Sequence, residues 1–200
     1  MKTDPDSHKR MAQRHKEGFE RKKAAATKEK GLLIVNTGTG KGKSTAAFGM
    51  GLRVLGHGMK LGVVQFIKGA LESAERRILS AHGSCEFHVV GEGYTWNTQD
   101  RAADIRTARR GWTEAVRMIA DPSFGMVILD ELSIVLKYQY LDLEEVLEVL
   151  RGRREMLHVV VTGRHAPQPL IDLADLVSEI RPVKHPYQEQ GIKAQAGVEF

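Results

Sequence analysis

From residue 31 to residue 180, short runs of apolar residues alternate with longer segments in which apolar residues recur at helical spacing. The short runs are continuously hydrophobic, which is typical of strands buried on both faces of a parallel sheet. The pattern predicts strands over residues 32–36, 61–66, 86–90, 126–130, 157–162 and 176–180. It predicts helices over residues 43–55, 72–81, 100–120, 143–150 and 169–174. We therefore expect a three-layer α/β fold with a mostly parallel central sheet and right-handed crossovers.

Residues 1–30 break this pattern because they contain too few apolar side chains to form a core. Ten Lys/Arg residues stand there against five Asp/Glu residues, so this segment carries the whole formal net charge of +5. We expect a flexible basic N-terminal arm over residues 1–30, followed by one domain over residues 31–200. The arm's ordered feature is a sparse stripe at i, i+4 spacing, formed by Met11, His15 and Phe19.

Composition narrows the class of protein. No apolar run approaches the roughly 18 residues that a membrane span needs, and the start has no hydrophobic segment typical of a secretory signal, so a cytoplasmic protein without a membrane partner is expected. The single cysteine, Cys85, excludes an intramolecular disulfide and a multi-cysteine metal site. A pI near 9.3 is typical of nucleic-acid binding, but the excess charge lies in the polar arm. This placement weakens that interpretation, and we expect no nucleic-acid partner.

A glycine-rich turn lies between the first predicted strand and the first predicted helix. Glycines let consecutive backbone N–H groups point into one concavity, the helix adds its positive end, and Lys43 supplies a mobile charge. A phosphate-binding loop is therefore predicted, in which Ser44 offers a hydroxyl to Mg²⁺. One departure is that Thr37 stands where the first glycine of a P-loop is expected, with Gly38 one position later. The residues expected to contact the phosphates are Gly38, Thr39, Gly40, Lys41, Gly42, Lys43, Ser44 and Thr45.

Two acidic residues stand at the end of the fourth predicted strand. Asp130 is its last residue, and Glu131 follows it directly. The carboxyl ends of parallel strands meet at the edge where open α/β folds bind ligands. We expect Asp130 to hold Mg²⁺ through water, and Glu131 to assist the metal, orient a ribose hydroxyl or polarise a water. The alternative for Asp130 is that it only caps the next helix. Beside the phosphate loop, the pair predicts nucleoside triphosphate binding on a RecA-like P-loop NTPase fold.

Two large aromatic residues, Tyr94 and Trp96, lie in a segment that also contains glycines and follows the third predicted strand. That position places them at the same sheet edge as the phosphate loop. Aromatic side chains on a loop expose apolar area unless they contact a ligand or the core. A flat apolar ligand clamped by the pair and a pair folded back onto the core are equal alternatives on composition alone.

These motifs together resemble those of the P-loop ATP:corrinoid adenosyltransferases, of the cob(I)alamin or cob(I)yrinic acid a,c-diamide type. The resemblance spans residues 31–200 in one register, and the combination is far more specific than a phosphate loop alone. The resembling segments are residues 39–49, 56–58, 63–69, 95–96, 129–132, 161–164, 181–186 and 191–195.

The resemblance implies that the 5′-deoxyadenosyl group of ATP is transferred to the cobalt(I) of a reduced corrinoid, with triphosphate leaving, in adenosylcobalamin biosynthesis or corrinoid salvage. It implies ATP and a corrinoid as substrates, Mg²⁺ or Mn²⁺ as the metal, a flavoprotein reductant and a homodimer. In such proteins the N-terminal arm folds over the corrinoid as a lid. Met11, His15 and Phe19 are the candidates for its contact stripe.

The resemblance also implies roles for single residues. Tyr94 and Trp96 match an aromatic pair that fills the lower face of the corrin and excludes its axial ligand. With this pair, the expected catalytic residues are Lys43, Glu131, Tyr94 and Trp96. The expected metal ligands are Ser44, Asp130 and Glu131. The family pattern has Phe at position 94 and Glu at position 97, whereas this chain has Tyr94 and Asn97. How this chain adjusts the reduction of cobalt(II) to cobalt(I) therefore stays open.

Three further basic residues are expected near the ligand edge as nucleotide contacts, namely Arg53, Lys68 and Arg164. A solvated surface role is the alternative for each. Two other functions also stay open on the residues alone. A RecA-like P-loop ATPase or small-molecule kinase would use Glu131 as the base that activates water. A nucleic-acid-binding ATPase would use the basic arm on phosphates, with binding that falls steeply as salt rises.

Overall fold

The computed structural model describes residues 5–67, 73–90 and 100–199, and among these residues six strands form one sheet. The strands are β1 Leu33–Thr37, β2 Lys60–Gln65, β3 Cys85–Val89, β4 Phe124–Asp130, β5 His158–Thr162 and β6 Leu176–Glu179. Their order in the sheet is β3-β2-β4-β5-β1-β6, and every neighbouring pair is parallel. All six carboxyl ends therefore lie at one edge of the sheet.

The helices described are α1 Pro5–Ala25, α2 Lys43–Gly56, α3 Ala74–Ser80, α4 Arg101–Ala120, α5 Leu132–Lys137, α6 Leu143–Arg151, α7 Gln168–Leu173 and α8 Pro186–Gln190. The chain divides into two units, Met1–Lys30 and Gly31–Phe200. No helix in the described part of the chain is long and apolar enough to cross a membrane.

The core of the second unit lies on both faces of the sheet. Along β1, Leu33 and Val35 pack into one apolar cluster with α4, α5, α6 and α7, while Ile34 packs into the other with α2 and α3. Strands β4 and β5 alternate in the same way. Because both faces are covered, the central positions of these strands are apolar on both sides, which is why they read as continuous hydrophobic runs. The predicted three-layer α/β fold is confirmed.

Within the first unit, residues 5–25 form one α-helix, α1, which was not among the predicted helices. Lys, Arg, Glu and Ala are good helix formers, and Pro5 stands at the helix start, where its missing N–H costs nothing. An i, i+4 hydrogen bond of 2.8 Å from Gln13 Nε2 to Glu17 Oε1 adds local support. The side chains of Met11, His15 and Phe19 are exposed.

Helix boundaries in the second unit agree with the sequence pattern where a capping residue marks them. The Asp100 carboxylate accepts a 3.0 Å bond from the Ala103 N–H at the start of α4. Asp142 caps α6 in the same way, accepting from the Glu145 N–H at 2.9 Å. The sequence pattern did not predict α5 and α8.

Candidate active site

The phosphate loop joins β1 to α2, and two of its glycines have a backbone that favours glycine. Gly38 has φ +98° and Gly42 has φ +105°. A Cβ atom on Gly38 would lie 2.4 Å from the carbonyl oxygen of Ile180, so the loop also packs tightly against the chain after β6. Thr37 is the last residue of β1 and is buried. The displaced glycine is thereby explained, because the chain first turns at Gly38.

Hydrogen bonds fix the loop to the segment after β6. The Gly40 N–H donates to the Ile180 carbonyl at 2.7 Å, and the Ile180 N–H donates to the Thr37 carbonyl at 2.8 Å. Thr37 Oγ1 also accepts from the Ala166 N–H at 3.2 Å. The loop is therefore anchored to two neighbouring parts of the sheet edge before any ligand binds.

Lys43 begins α2 and is 7% exposed. Its Nζ donates to the Gly40 carbonyl at 2.6 Å, which folds the ammonium group beneath the loop. Burial lowers the pKa of Lys43, and the charges of Glu131 and Asp130 oppose that shift. Within the same loop region, Ser44 is half-buried, whereas Thr39 and Thr45 are exposed.

Asp130 ends β4 and is 1% exposed. One carboxylate oxygen accepts from Thr162 Oγ1 at 2.7 Å, and the other accepts from Gln65 Nε2 at 2.9 Å. These partners come from β5 and β2, the neighbours of β4 in the sheet. Asp130 therefore does not act as a helix cap, which was the alternative for it.

Glu131 has a left-handed backbone with φ 62°, and its N–H donates to Thr162 Oγ1 at 3.0 Å. Its Oε2 is buried and has no hydrogen-bond partner among the described residues. The pKa of Glu131 is raised to about 7, mainly by burial and also by the neighbouring Asp130, although the charges of Lys43 and Arg164 oppose the shift. The charges of Glu131 and Lys43 therefore act on each other's pKa, although the two residues follow different strands.

The donor set fits a hard divalent cation. The unpartnered Oε2 of Glu131 is available as a direct ligand, and the Ser44 hydroxyl is a neutral oxygen donor at the start of α2. Both oxygens of Asp130 are already hydrogen-bonded, so this residue suits contact through water. The roles expected of the three residues are compatible with these environments.

The other predicted basic contacts differ in position. Arg164 is exposed after β5 and interacts electrostatically with Lys43 and Glu131, so it lies at the site. Arg53 lies ten residues beyond Lys43 in the last turn of α2, which is about 15 Å along the helix axis. The role expected of Arg53 as a nucleotide contact stays a prediction.

Three predicted site residues lie outside the described residues: Lys68, Tyr94 and Trp96. Their assignment as a nucleotide contact and as a corrinoid-facing pair stays a prediction.

A family model described as ATP:corrinoid adenosyltransferase BtuR/CobO/CobP matches residues 29–200. The chain belongs to the ATP:corrinoid adenosyltransferase family. The match includes the phosphate loop, the acidic pair and Arg164, which the structure brings to one sheet edge. The family predicted from the sequence motifs is thus confirmed.

Curated relatives of this adenosyltransferase cover nearly the whole chain. A corrinoid adenosyltransferase from Pseudomonas aeruginosa is 52% identical over 94% of this chain and 96% of its own length. One from Sinorhizobium sp. is 49% identical over 98% of this chain and 93% of its own length. One from Escherichia coli K12 is 47% identical over 98% of both.

A solved structure supports the fold of the adenosyltransferase. The flagellar accessory protein FlaH from Methanocaldococcus jannaschii superposes with a TM-score of 0.50 over 76% of this chain and 71% of that chain. Sequence identity is 13%, so the similarity is one of fold alone.

Sequence reasoning missed several residues at the adenosyltransferase site. Thr162 lies within a matching motif, yet nothing in its local sequence showed that its hydroxyl joins Asp130 to Glu131. Gln65 and Glu199 were missed as well, and they contact Asp130 and Lys41 across 65 and 158 residues of sequence. Contacts over such separations depend on the strand order, which a single sequence does not reveal.

Proposed function

We propose that the chain transfers the 5′-deoxyadenosyl group of ATP to the cobalt(I) of a reduced corrinoid and releases inorganic triphosphate. The observation that carries the proposal is the family match over residues 29–200. The site geometry supports it, because a phosphate loop with a buried lysine lies opposite an acidic pair at one sheet edge. We further propose that this activity serves adenosylcobalamin biosynthesis or corrinoid salvage.

The proposed reaction is an in-line displacement at the ribose C5′ carbon. The cobalt(I) electron pair forms the cobalt–carbon bond, the bond from C5′ to the α-phosphate oxygen breaks, and its electron pair leaves with triphosphate. Because no proton has to move, the protein's work is to align the reactants and to stabilise the charge of the leaving group. The loop N–H groups, Lys43 and Arg164 are the groups proposed to do this.

Lys43 is suited to this role by its environment. Its ammonium group is desolvated, and a charge in a water-excluded site interacts with an anion more strongly than an exposed one does. Its present acceptor is the Gly40 carbonyl, which a phosphate oxygen can replace. We propose that the Lys43 ammonium group stabilises the negative charge that develops on the leaving triphosphate.

A bound Mg²⁺ or Mn²⁺ ion would supply further positive charge to the triphosphate. We propose that Glu131 and the Ser44 hydroxyl hold the metal and that Asp130 contacts it through water. Thr162 fixes both acidic residues, since its hydroxyl donates to the Asp130 carboxylate and accepts from the Glu131 N–H.

Several parts of the proposal rest on the family resemblance. We propose that Tyr94 and Trp96 cover the lower face of the corrin, that a flavoprotein reduces cobalt(II) to cobalt(I), and that two copies of the chain form a homodimer. A cytoplasmic location is proposed because ATP and a reducing environment are both found there.

The test combines the purified chain with ATP, Mg²⁺ and chemically reduced cobalamin. We expect a light-sensitive cobalt–carbon product in the visible spectrum and an equal amount of inorganic triphosphate. Release of ADP and orthophosphate without that product would overturn the proposal. It would favour the P-loop ATPase or kinase, for which the buried Glu131 carboxyl is a suitable base.

Two lysine variants sharpen the test. Lys43→Met keeps the side-chain volume and removes the charge, so the rate of transfer should fall at least about 100-fold. Lys137→Met removes the same charge from the exposed end of α5 and should leave the rate unchanged. Equal rates for the two variants would contradict the role proposed for Lys43.

A further inference from the structure

The C-terminal tail returns to the phosphate loop. The Glu199 carboxylate forms an ion pair with Lys41 Nζ, although the two residues are 158 positions apart. The Glu199 side chain is 18% exposed and that of Lys41 is 52% exposed. The Glu199 N–H donates to the Gln195 carbonyl at 2.9 Å, and the Val198 N–H donates to the same oxygen at 3.2 Å. The tail therefore ends in a hydrogen-bonded turn that presents a carboxylate to the loop.

The two lysines of the loop are neutralised differently. Lys43 is buried, donates to a carbonyl of the loop itself, and shares the field of Glu131 and Asp130. Lys41 lies on the outer side, where its partner is the tail carboxylate. A carboxylate and a phosphate both offer negatively charged oxygen atoms to an ammonium donor. Glu199 thus pairs with a lysine that the loop motif predicts to contact the phosphates.

We propose that Glu199 is an internal competitor of the polyphosphate for Lys41. The inference rests on the proposed function. When nucleotide binds, a phosphate oxygen replaces the Glu199 carboxylate on Lys41 and the tail moves away. After transfer, the carboxylate returns to Lys41 and favours release of the highly charged triphosphate. Glu199 is therefore a specificity-determining residue for the polyphosphate part of the site.

The expected size of the effect follows from exposure. Because Lys41 is about half exposed, its ion pair is screened by water, and removing one competing carboxylate should tighten polyphosphate binding by about three- to fivefold. Glu199→Gln is nearly isosteric and removes only the charge. Glu199→Lys reverses the charge and should tighten binding further.

The experiment titrates inorganic tripolyphosphate into the full chain by calorimetry, for the unaltered protein and for Glu199→Gln. Glu155→Gln is the matched control, because it removes one exposed negative charge just before β5, at the far edge of the sheet. The unaltered chain and Glu155→Gln should bind with the same Kd, and Glu199→Gln about three- to fivefold more tightly. In a Lys41→Ala background, Glu199→Gln should have no effect.

Three results would overturn the inference. They are an unchanged Kd in Glu199→Gln, an equal change in Glu155→Gln, and a Glu199→Gln effect that persists without Lys41. If any of them occurs while the unaltered chain still forms the cobalt–carbon product, the inference alone fails. If the unaltered chain neither binds tripolyphosphate nor forms the product, the proposed function fails with it.

Discussion

Glu131 combines a backbone conformation that is uncommon outside glycine with a carboxylate oxygen that has no partner among the described residues. A left-handed non-glycine residue costs about 1 kcal/mol, and it persists only where the surroundings enforce it. Here the N–H of Glu131 is held by the Thr162 hydroxyl. The strain aims the side chain at Lys43 and Arg164, whose charges act on it. The metal-ligand role proposed for Glu131 would thus depend on a backbone conformation and a burial that lower the stability of the fold.

That cost is measurable as a pH dependence. Below about pH 4.5 the Glu131 carboxyl is protonated in the folded and unfolded states and has no effect on stability. Between about pH 4.5 and 7 the unfolded chain loses this proton while the folded chain keeps it, so the free energy of unfolding falls as pH rises. Above pH 7 the loss is complete, at about 3 kcal/mol.

Glu131→Gln should therefore gain stability relative to the unaltered chain as pH rises from 5 to 8. Urea denaturation in metal-free buffer at both pH values measures the difference. If the two proteins lose or gain stability in parallel over this range, the raised pKa of Glu131 is contradicted.

Gly163 supports Glu131 from the end of β5. Its φ is +136°, and an added Cβ would lie 2.8 Å from the Ser133 Cβ and 3.3 Å from Glu131 Oε2. Gly163→Ala should destabilise the fold by about 2 kcal/mol and reduce adenosyl transfer by displacing the Glu131 carboxylate. Gly49→Ala is the control, since that helical glycine has open space, and it should be neutral or stabilising by up to about 1 kcal/mol. Thermal unfolding and transfer rates of both variants decide the matter.

The reactivity of the Cys85 thiol reports on its surroundings. Burial, together with the negative charge of the adjacent Glu86, raises the pKa of the Cys85 thiol to about 11. The thiolate fraction at pH 8 is then about 100-fold lower than for the unshifted thiol, so alkylation of the native protein should be slowed by a similar factor. Iodoacetamide labelling with and without urea tests this, and equal rates in both would contradict it.

Helix α1 exposes apolar side chains on a strongly basic segment of the chain. The helix presents Met11 and Phe19 to solvent, and an exposed apolar pair on a basic helix is suited to covering a ligand with acidic and apolar parts. Removing residues 1–28 should raise the KM for corrinoid and leave that for ATP nearly unchanged. Steady-state kinetics with each substrate varied in turn measures both constants, and equal corrinoid kinetics would end the proposed lid role.

Local sequence predicted most elements of the second unit because local physics determines them. The buried positions of β4 and β5 are apolar up to the polar residues that end each strand, and Asp100 and Asp142 mark helix starts. Helix α1 was not among the predicted helices because composition reports only the absence of a core, whereas helix formation depends on propensity and i, i+4 pairs. Helix α5 was missed because its six residues, LSIVLK, are buried at most positions, so no alternation of apolar and polar faces marks a helix.

The whole molecule determines how the two halves of the site meet. Strand β5 lies between β1, which leads into the phosphate loop, and β4, which carries the acidic pair. Thr162 at the end of β5 therefore lies between them and bonds to both acidic residues. The acidic pair and the loop were predicted from sequence, but this strand order was not. The contacts of Thr162 and Gln65 were therefore missed. The contact of Glu199 with Lys41 was missed because the path of the C-terminal tail was not predicted either.

Thr162→Val tests the bridge, since valine keeps the shape and removes the hydroxyl. The buried Asp130 carboxylate would lose a donor and the Glu131 N–H its acceptor, so stability should fall by about 1–3 kcal/mol and transfer should slow more than the stability loss alone explains. Thr113→Val, on the exposed face of α4, should change neither. Denaturant unfolding and the Mg²⁺ dependence of the rate measure the two effects. An unaltered Mg²⁺ dependence would show that the bridge does not position the metal ligands.

The helix that precedes the sheet also governs how the molecule behaves toward charged surfaces. Because the excess of basic side chains lies in the first thirty residues, the unit from Gly31 onward has equal numbers of Lys/Arg and Asp/Glu. A single proteolytic cut after Lys30 should therefore weaken retention on a cation exchanger at neutral pH, and the elution position would report whether a preparation has kept its first thirty residues.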